Sequence, residues 1–189
     1  MKQVLAIAAS NKQISINKTL LLLAAQKSAH LNVTILSLSE FDLPVYNEEM
    51  ESKTGIPETA KNIYRRFTAA DGFMLACPEH NGLPPAGFKN LIDWLSRIDQ
   101  RFFQQKPVLL LSASPGMNGG ASNLQLLKDI LPRWGGEPAG MFSLGDFYEN
   151  FNCAEIKIHN PLLEVQLTNE IKIFETNLIK DLQTASFLS

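Results

Sequence analysis

Short, uninterrupted apolar runs alternate along this chain with longer segments in which apolar residues recur at helical spacing. Such runs are typical of parallel strands that helices cover on both faces. We predict strands at 4–9, 33–38, 72–77 and 107–112, a short fifth strand within 137–144, and helices at 17–30, 57–70, 85–97, 121–134 and 161–183. This alternation predicts an α/β fold, a three-layer sandwich around a five-stranded parallel sheet.

The residues between these elements indicate where the chain turns. Residues 40–56 form a long predicted connection, because Pro44, Asn47 and Gly55 interrupt any regular pattern there. Pro132 should kink or end the helix predicted at 121–134. The chain has no internal repeat, low-complexity segment or linker, and 189 residues suit one domain with a sizeable core. We therefore expect residues 1–189 to form a single domain.

Composition and charge exclude several classes of protein. The net charge of −2 gives no basic surface, so we expect no nucleic-acid partner. Cys77 and Cys153 lie far apart in the sequence, which fits neither a disulfide framework nor a metal site. Cysteines used in this way favour a reducing compartment, so we expect a cytoplasmic protein. The histidines are isolated and lack the spacing of metal ligands, so we expect no metal.

The first ten residues superficially resemble a signal peptide. Their apolar core is too short and their basic end too weak, so a first buried strand is the favoured interpretation. No apolar run in the sequence is long enough to cross a bilayer, and we expect no membrane association.

Polar or glycine-containing loops follow three of the predicted strands. The apolar run at 72–76 stops in the loop Cys77-Pro78-Glu79-His80-Asn81-Gly82, after which the helix at 85–97 begins. In open α/β sheets, ligands bind outside the carboxyl ends of the strands, where such loops meet. We therefore expect the three loops to form one pocket.

The loop after the first strand, 10–17, is rich in hydroxyl and amide side chains and leads into a helix N-terminus. Backbone N–H groups and the helix dipole favour a phosphate at such a position. Ser10, Ser15 and Asn17 can donate hydrogen bonds, and Lys12 supplies positive charge. The alternative is an ordinary helix cap, in which Ser15 satisfies the first turn. The dinucleotide fingerprint G-x-G-x-x-G and the P-loop pattern are both missing.

Four segments between residues 3 and 136 resemble the motifs of one protein family. The first is Ala9-Ser10-Asn11-Lys12-Gln13-Ile14-Ser15-Ile16-Asn17, similar to G-S-x-R-x-x-S-x-N, and the second is Asp42-Leu43-Pro44-Val45-Tyr46-Asn47-Glu48-Glu49, similar to D-L-P-L-Y-N-x-D. The third is Pro78-Glu79-His80-Asn81-Gly82 with Lys89-Asn90 and Asp93-Trp94-Leu95-Ser96-Arg97, similar to P-E-Y-N-G-S and K-N-x-[IL]-D-W-[LA]-S. The fourth is Ser112-Ala113-Ser114-Pro115-Gly116 with Gly119-Gly120, similar to S-x-S-P-G and G-G. The family is that of the NADPH-dependent FMN reductases, which includes chromate and quinone reductases and some azoreductases. The third segment is the most specific.

The resemblance implies a flavodoxin-like fold with strand order 2-1-3-4-5 and one FMN per chain. The FMN phosphate would bind the first loop, and the flavin ring would lie between the second loop and the loop after the fourth strand. Glycines at 82, 116, 119 and 120 would allow positive φ and a close approach of backbone to a flat ring. The implied cofactor-binding residues are Ser10, Lys12, Ser15, Ile16, Asn17, Pro78, Glu79, His80, Asn81, Gly82, Ser114, Pro115 and Gly116.

The implied reaction is ping-pong. NADPH or NADH delivers hydride to the flavin and leaves, and free flavin, a quinone, an azo compound or a metal anion then takes the electrons. No catalytic protein residue is required. We interpret Cys77 as a small core residue, and Glu79 as a pocket wall, an ion-pair partner or a backbone anchor. The resemblance also implies a homodimer or homotetramer, for which 85–97 and the pair Phe102-Phe103 are expected to offer apolar surface.

Ala9, Lys12, His80 and Leu83 depart from the family pattern. Lys12 keeps the charge of the usual arginine but lacks its bidentate fork. His80 could stack on the flavin or the nicotinamide, or its charge could attract the dinucleotide. These departures leave a second hypothesis open, an FMN-binding or interaction protein of the same fold with little turnover.

Overall fold

A five-stranded, all-parallel sheet runs through the computed structural model, which describes residues 1–186 and side chains as far as residue 179. The strands are β1 (Gln3–Ala8), β2 (Asn32–Ser37), β3 (Gly72–Ala76), β4 (Lys106–Ala113) and β5 (Gly136–Leu144). Their order is β2-β1-β3-β4-β5, which confirms the predicted order. The direction of strand succession reverses between β1 and β3, and this is where ligands bind in such sheets.

Helices cover both faces of the sheet, as predicted. They are α1 (Ile16–Lys27), α2 (Glu48–Thr54), α3 (Glu58–Ala69), α4 (Ala86–Ile98), α5 (Ala121–Ile130), α6 (Phe147–Asn150) and α7 (Pro161–Ser186). One hydrophobic core lies between the sheet and α1 and α7, and a second lies between the sheet and α3, α4 and α5. Successive residues of β3 serve the two cores in turn: Phe73 and Leu75 pack on one side, Met74 and Ala76 on the other. A strand buried on both faces must be apolar throughout.

Two regions contain more structure than their sequence pattern predicts. In the long connection at 40–56, Asn47 and Gly55 do not merely interrupt the chain; they begin and end α2. The Asn47 side chain accepts a hydrogen bond from the Met50 N–H at 2.8 Å, and Gly55 follows the helix with φ of 73°. Residues 145–160 contain α6 and a two-stranded antiparallel pair, β6 (Phe151–Asn152) and β7 (Lys157–Ile158). These elements are too short to show a periodicity.

Prolines mark the observed helix boundaries to within one or two residues of the predicted positions. The helix predicted at 121–134 ends at Ile130 and continues as a 3-10 turn, Leu131–Trp134, that contains Pro132. Pro57 and Pro85 stand one position before α3 and α4 rather than within their first turns. No helix among residues 1–186 is both long and apolar enough to span a membrane.

The aromatic pair expected at the surface is in the core, so that prediction was wrong. Phe102 is 1% exposed and Phe103 is fully buried. Both rings pack against Phe67 of α3, with centroid distances of 6.0 and 5.4 Å, and Phe103 also meets Phe73 of β3 edge-to-face. Packing of this kind between non-adjacent segments leaves no signature in the residues that surround the pair. Trp94 of α4 is also fully buried.

Candidate functional site

A cavity of about 320 Å³ lies at the carboxyl edge of the sheet, where the loops after β1, β3 and β4 meet. This volume is in the range of small-molecule sites. The register explains the meeting, because Ala8 at the end of β1 pairs with Ala76 at the end of β3. The lining residues are Ser10, Lys12, Ile14, Ser15, Ile16, Asn17, Pro78, Glu79, His80, Ala113, Ser114, Pro115 and Tyr148. Of the predicted site residues, Asn81, Gly82 and Gly116 do not line it.

The first loop presents hydrogen-bond donors at the N-terminus of α1. The first hydrogen bond within this helix runs from the Thr19 N–H to the Ser15 carbonyl oxygen, which leaves the preceding N–H groups of the first turn without helical partners. Ser15 occupies the cap position, but its side chain makes no capping hydrogen bond within the described chain. The first turn contains no acidic residue, and exposed Lys12 lies in the same loop. This end of the cavity therefore suits an anion.

The Asn17 side chain links two of the loops that line the cavity. Asn17 is buried, and its side-chain amide bridges both backbone groups of Ala113 at the end of β4. The Ala113 N–H donates to Asn17 Oδ1 at 2.9 Å, and Asn17 Nδ2 donates to the Ala113 carbonyl at 2.9 Å. Asn17 lines the cavity, but its amide ties the first loop to the strand that carries Ser114 and Pro115.

The second loop contains a tight turn. The His80 N–H donates to the Leu83 carbonyl at 2.8 Å, and the Leu83 N–H donates back at 3.2 Å. Between them Asn81 and Gly82 have φ of 55° and 79°, the pair of left-handed conformations that an Asn-Gly turn of this type requires. These two residues therefore shape the loop, while exposed His80 lines the cavity.

Glu79 anchors the second loop to α5. Its Oε2 accepts a hydrogen bond from the Asn123 N–H in the first turn of that helix at 3.0 Å, where a carboxylate complements the helix dipole. Glu79 also lines the cavity, so the anchor and wall interpretations are both confirmed. Gly120 comes directly before this helix with φ of 81°, and a Cβ there would collide with Ser112 Oγ. At both Gly119 and Gly120, other atoms of the protein occupy the space that a Cβ would need.

Asn123 is a buried site-supporting residue that the motifs missed. Its Nδ2 donates to the Pro78 carbonyl at 3.1 Å, so the residue holds the second loop through both its side chain and its backbone N–H. Its side chain is fully buried, and its Oδ1 has no hydrogen-bond partner within the described residues. In the sequence, Asn123 is recognisable only as an asparagine near the start of a helix that follows a glycine pair. That position does not indicate which residues its side chain contacts.

Cys77 is a core residue, as interpreted. It is fully buried beside Asn123. The pKa of its thiol is raised to about 12, because the effect of burial is larger than the opposing effect of the Asn123 hydrogen bond. A thiol in this state is protonated at neutral pH and is a poor nucleophile.

The motif residues outside the cavity pack against one another. Asn90 of α4 accepts a hydrogen bond from the Tyr46 N–H at 2.9 Å and donates to the Leu43 and Pro44 carbonyls. The Trp94 indole also donates to the Pro44 carbonyl, at 2.8 Å. The second motif segment is thus bound to the helix that follows the cavity's second loop. Each segment supplies hydrogen-bond partners to the other.

A fourth loop, 145–150, also reaches the cavity and supplies Tyr148. An aromatic residue just beyond the last strand was the signal that could have revealed it, since that position lies at the same sheet edge. Within residues 1–179, whose side chains the structure describes, no group of three His, Cys, Asp or Glu side chains could hold a metal ion.

Comparisons with known proteins agree with this geometry. The family model for NADPH-dependent FMN reductase matches residues 2–151. A quinone reductase of Escherichia coli (strain K12) is 38% identical over 90 residues, 48% of each chain; this chain thus spans about half the length of the curated quinone reductases that it matches. The NADH:(hydroxy)cinnamate reductase subunit CrdA of Vibrio ruber is 29% identical over 152 residues, 78% of this chain and 73% of the relative.

A solved structure shares the fold across nearly the whole chain. FerB, described as a flavoenzyme NAD(P)H:(acceptor) oxidoreductase from Paracoccus denitrificans, has a TM-score of 0.79 at 24% identity, covering 95% of this chain and 98% of its own. This likeness shows a flavodoxin-like fold. Because the family model matches residues 2–151, most of the sequence, the chain belongs to the NADPH-dependent FMN reductase family.

Proposed function

We propose that the protein is an FMN-dependent oxidoreductase, which takes electrons from NADPH or NADH and passes them to a small acceptor such as free flavin, a quinone, an azo compound or a metal anion. The observation that carries the proposal is the cavity itself. Three loops that resemble the family's motifs line it together, with unpaired helix N–H groups at one end. A phosphorylated small ligand fits this arrangement, because the anion-binding end of the cavity suits a phosphate.

Each lining residue has a role in this proposal. Ser10, Lys12, Ser15 and the N–H groups at Ile16 and Asn17 would bind the phosphate. Pro78, Glu79 and His80 would form one wall for the flavin, with Ser114 and Pro115 opposite; Asn81, Gly82 and Gly116 would shape the loops. Bound FMN would supply the redox chemistry, accepting two electrons from a reduced nicotinamide and releasing them to the acceptor.

The chain's own residues bind and orient the reactants, and none is needed as nucleophile or general base. The candidate nucleophile in the second loop, Cys77, is buried and protonated. Glu79 is held by a backbone N–H. The exposed side chain that faces the cavity from the second loop is His80, and we propose that it stacks on the incoming ring.

We further propose that the protein acts in the cytoplasm as a homodimer or homotetramer. The two free cysteines, one of them exposed, fit a reducing compartment. The apolar residues Leu91, Trp94 and Leu95 of α4 face the chain's own core, so self-association through this helix would use its more polar outer side.

The purified protein should be yellow or should bind added FMN, and NADPH or NADH should bleach the flavin absorbance. Both are followed in one cuvette by absorbance under nitrogen, with a quinone then added to restore the colour. Bleaching and recovery support the oxidoreductase. If FMN binds but neither nicotinamide bleaches it, the oxidoreductase hypothesis is wrong and the FMN-binding protein is favoured. If FMN does not bind, both hypotheses are wrong.

Replacing His80 with tyrosine should preserve or raise the rate of NADPH oxidation with a quinone acceptor, because tyrosine offers a larger stacking face. The KM for NADPH of the wild-type protein should then stay flat between about pH 5.5 and 8, across the range in which histidine usually titrates. Stopped-flow flavin reduction at several pH values measures this. A wild-type KM that rises with pH, and a tyrosine variant that has lost the rise, would show that His80 acts through its charge.

A further inference from the structure

Tyr148 is the one lining residue that comes from beyond β5. It lies in α6, outside every segment that resembles a family motif. Tyr148 is 69% exposed, and its hydroxyl makes no hydrogen bond within residues 1–179, the part of the chain whose side chains are described. An exposed aromatic ring at the wall of a cavity buries apolar area when a ligand enters.

The loop that carries Tyr148 is built onto the loop after β4. The Phe147 N–H donates to the Ser114 carbonyl at 3.1 Å, and the Asp146 N–H donates to the Gly116 carbonyl at 3.1 Å. The Ser114 N–H in turn donates to the Leu144 carbonyl at 3.1 Å. The backbones are so close that a Cβ at Gly145 would lie 2.1 Å from the Met117 carbonyl oxygen. The two loops therefore form one unit.

The core also fixes the position of the tyrosine. Its neighbour Phe147 is fully buried and stacks on Phe151, with ring centroids 4.8 Å apart. The Tyr148 ring meets Phe147 edge-to-face, 5.5 Å between centroids. Phe147 belongs to the core layer of α1, the helix whose N-terminus forms the anion-binding end of the cavity. Because Phe147 is buried and hydrogen-bonded, little backbone freedom is lost when the Tyr148 ring contacts a ligand.

We propose that Tyr148 is a cofactor-contacting residue, whose ring closes the cavity on the β5 side and packs against bound FMN. The inference rests on the proposed function. It assigns a fourth loop to the binding site and makes the aromatic ring, rather than the hydroxyl, the contacting group.

Titration of the FMN-free protein with FMN, followed by flavin fluorescence, tests the ring. Tyr148→Ala should weaken FMN binding by about five- to tenfold, the range of a lost aromatic contact, and Tyr148→Phe should bind within about twofold of wild type. Leu162→Ala removes a side chain that is 80% exposed on α7 and outside the cavity, and should leave the affinity unchanged. Equal losses in the alanine and phenylalanine variants would overturn the ring contact, and so would wild-type affinity in the alanine variant.

Tyrosine nitration gives a readout that does not depend on variants. The chain has three tyrosines; Tyr46 and Tyr64 are partly buried and hydrogen-bonded through their hydroxyls, so they serve as internal references. Saturating FMN should slow nitration of Tyr148 by tetranitromethane, measured by peptide mass spectrometry, and leave the other two unchanged. Unchanged nitration of Tyr148 in protein that does bind FMN would overturn this inference alone. Failure of the wild-type protein to bind FMN would overturn the proposed function with it.

Discussion

Replacing Ser15 with aspartate should weaken FMN binding by about a hundredfold, because it places a carboxylate among the donors proposed to hold the phosphate. The side chain is available for this effect, since it makes no capping hydrogen bond. Riboflavin, which lacks the phosphate, should bind the wild-type protein much more weakly than FMN does, and the variant should lose most of the difference between the two ligands. Fluorescence titration of both flavins measures the two affinities.

Thr176→Asp is the matched control for the added charge. Thr176 is exposed on α7, near the opposite edge of the sheet, where its neighbours Phe174 and Leu178 approach Gly72 at the start of β3. This variant should bind FMN like wild type. Unchanged FMN affinity in Ser15→Asp would place the phosphate site elsewhere.

Replacing Asn17 with alanine should lower the free energy of unfolding by about 2–4 kcal/mol, because it leaves the buried N–H and carbonyl of Ala113 without partners. The substitution also removes the link between two loops of the cavity, so FMN affinity should fall in the protein that remains folded. Urea denaturation measures the stability, and a titration with FMN measures the affinity.

Asn169→Ala provides the comparison, since Asn169 is exposed on α7. Its unfolding free energy should stay within about 0.5 kcal/mol of wild type. If the two alanine variants were equally stable, the Asn17 amide would not hold α1 to β4, and its side chain would be free to bind the phosphate as the motif implies.

Much of the site could be predicted from sequence, because its loops follow buried strands. The predicted strands at 4–9, 72–77 and 107–112 place the loops that follow them at one sheet edge whatever the details of packing. Ten of the thirteen predicted residues line the cavity, and the exceptions, Asn81, Gly82 and Gly116, lie in loops whose neighbours do. A local pattern indicates which loop a residue occupies, but it does not indicate which way the side chain points.

The sequence by itself determined the strand–helix alternation and the sheet edge at which the loops meet, because apolar periodicity and turn residues are local properties of the chain. The resemblance to the family rested on short motif segments, which are local as well. Only the tertiary structure decided the partners of buried polar groups. Asn17 and Ala113 are 96 residues apart, and Asn123 and Glu79 are 44 apart. The tertiary structure also decided that Phe102 is buried and that Tyr148 lines the cavity. Each depends on contacts between distant segments, which form only when the whole chain packs.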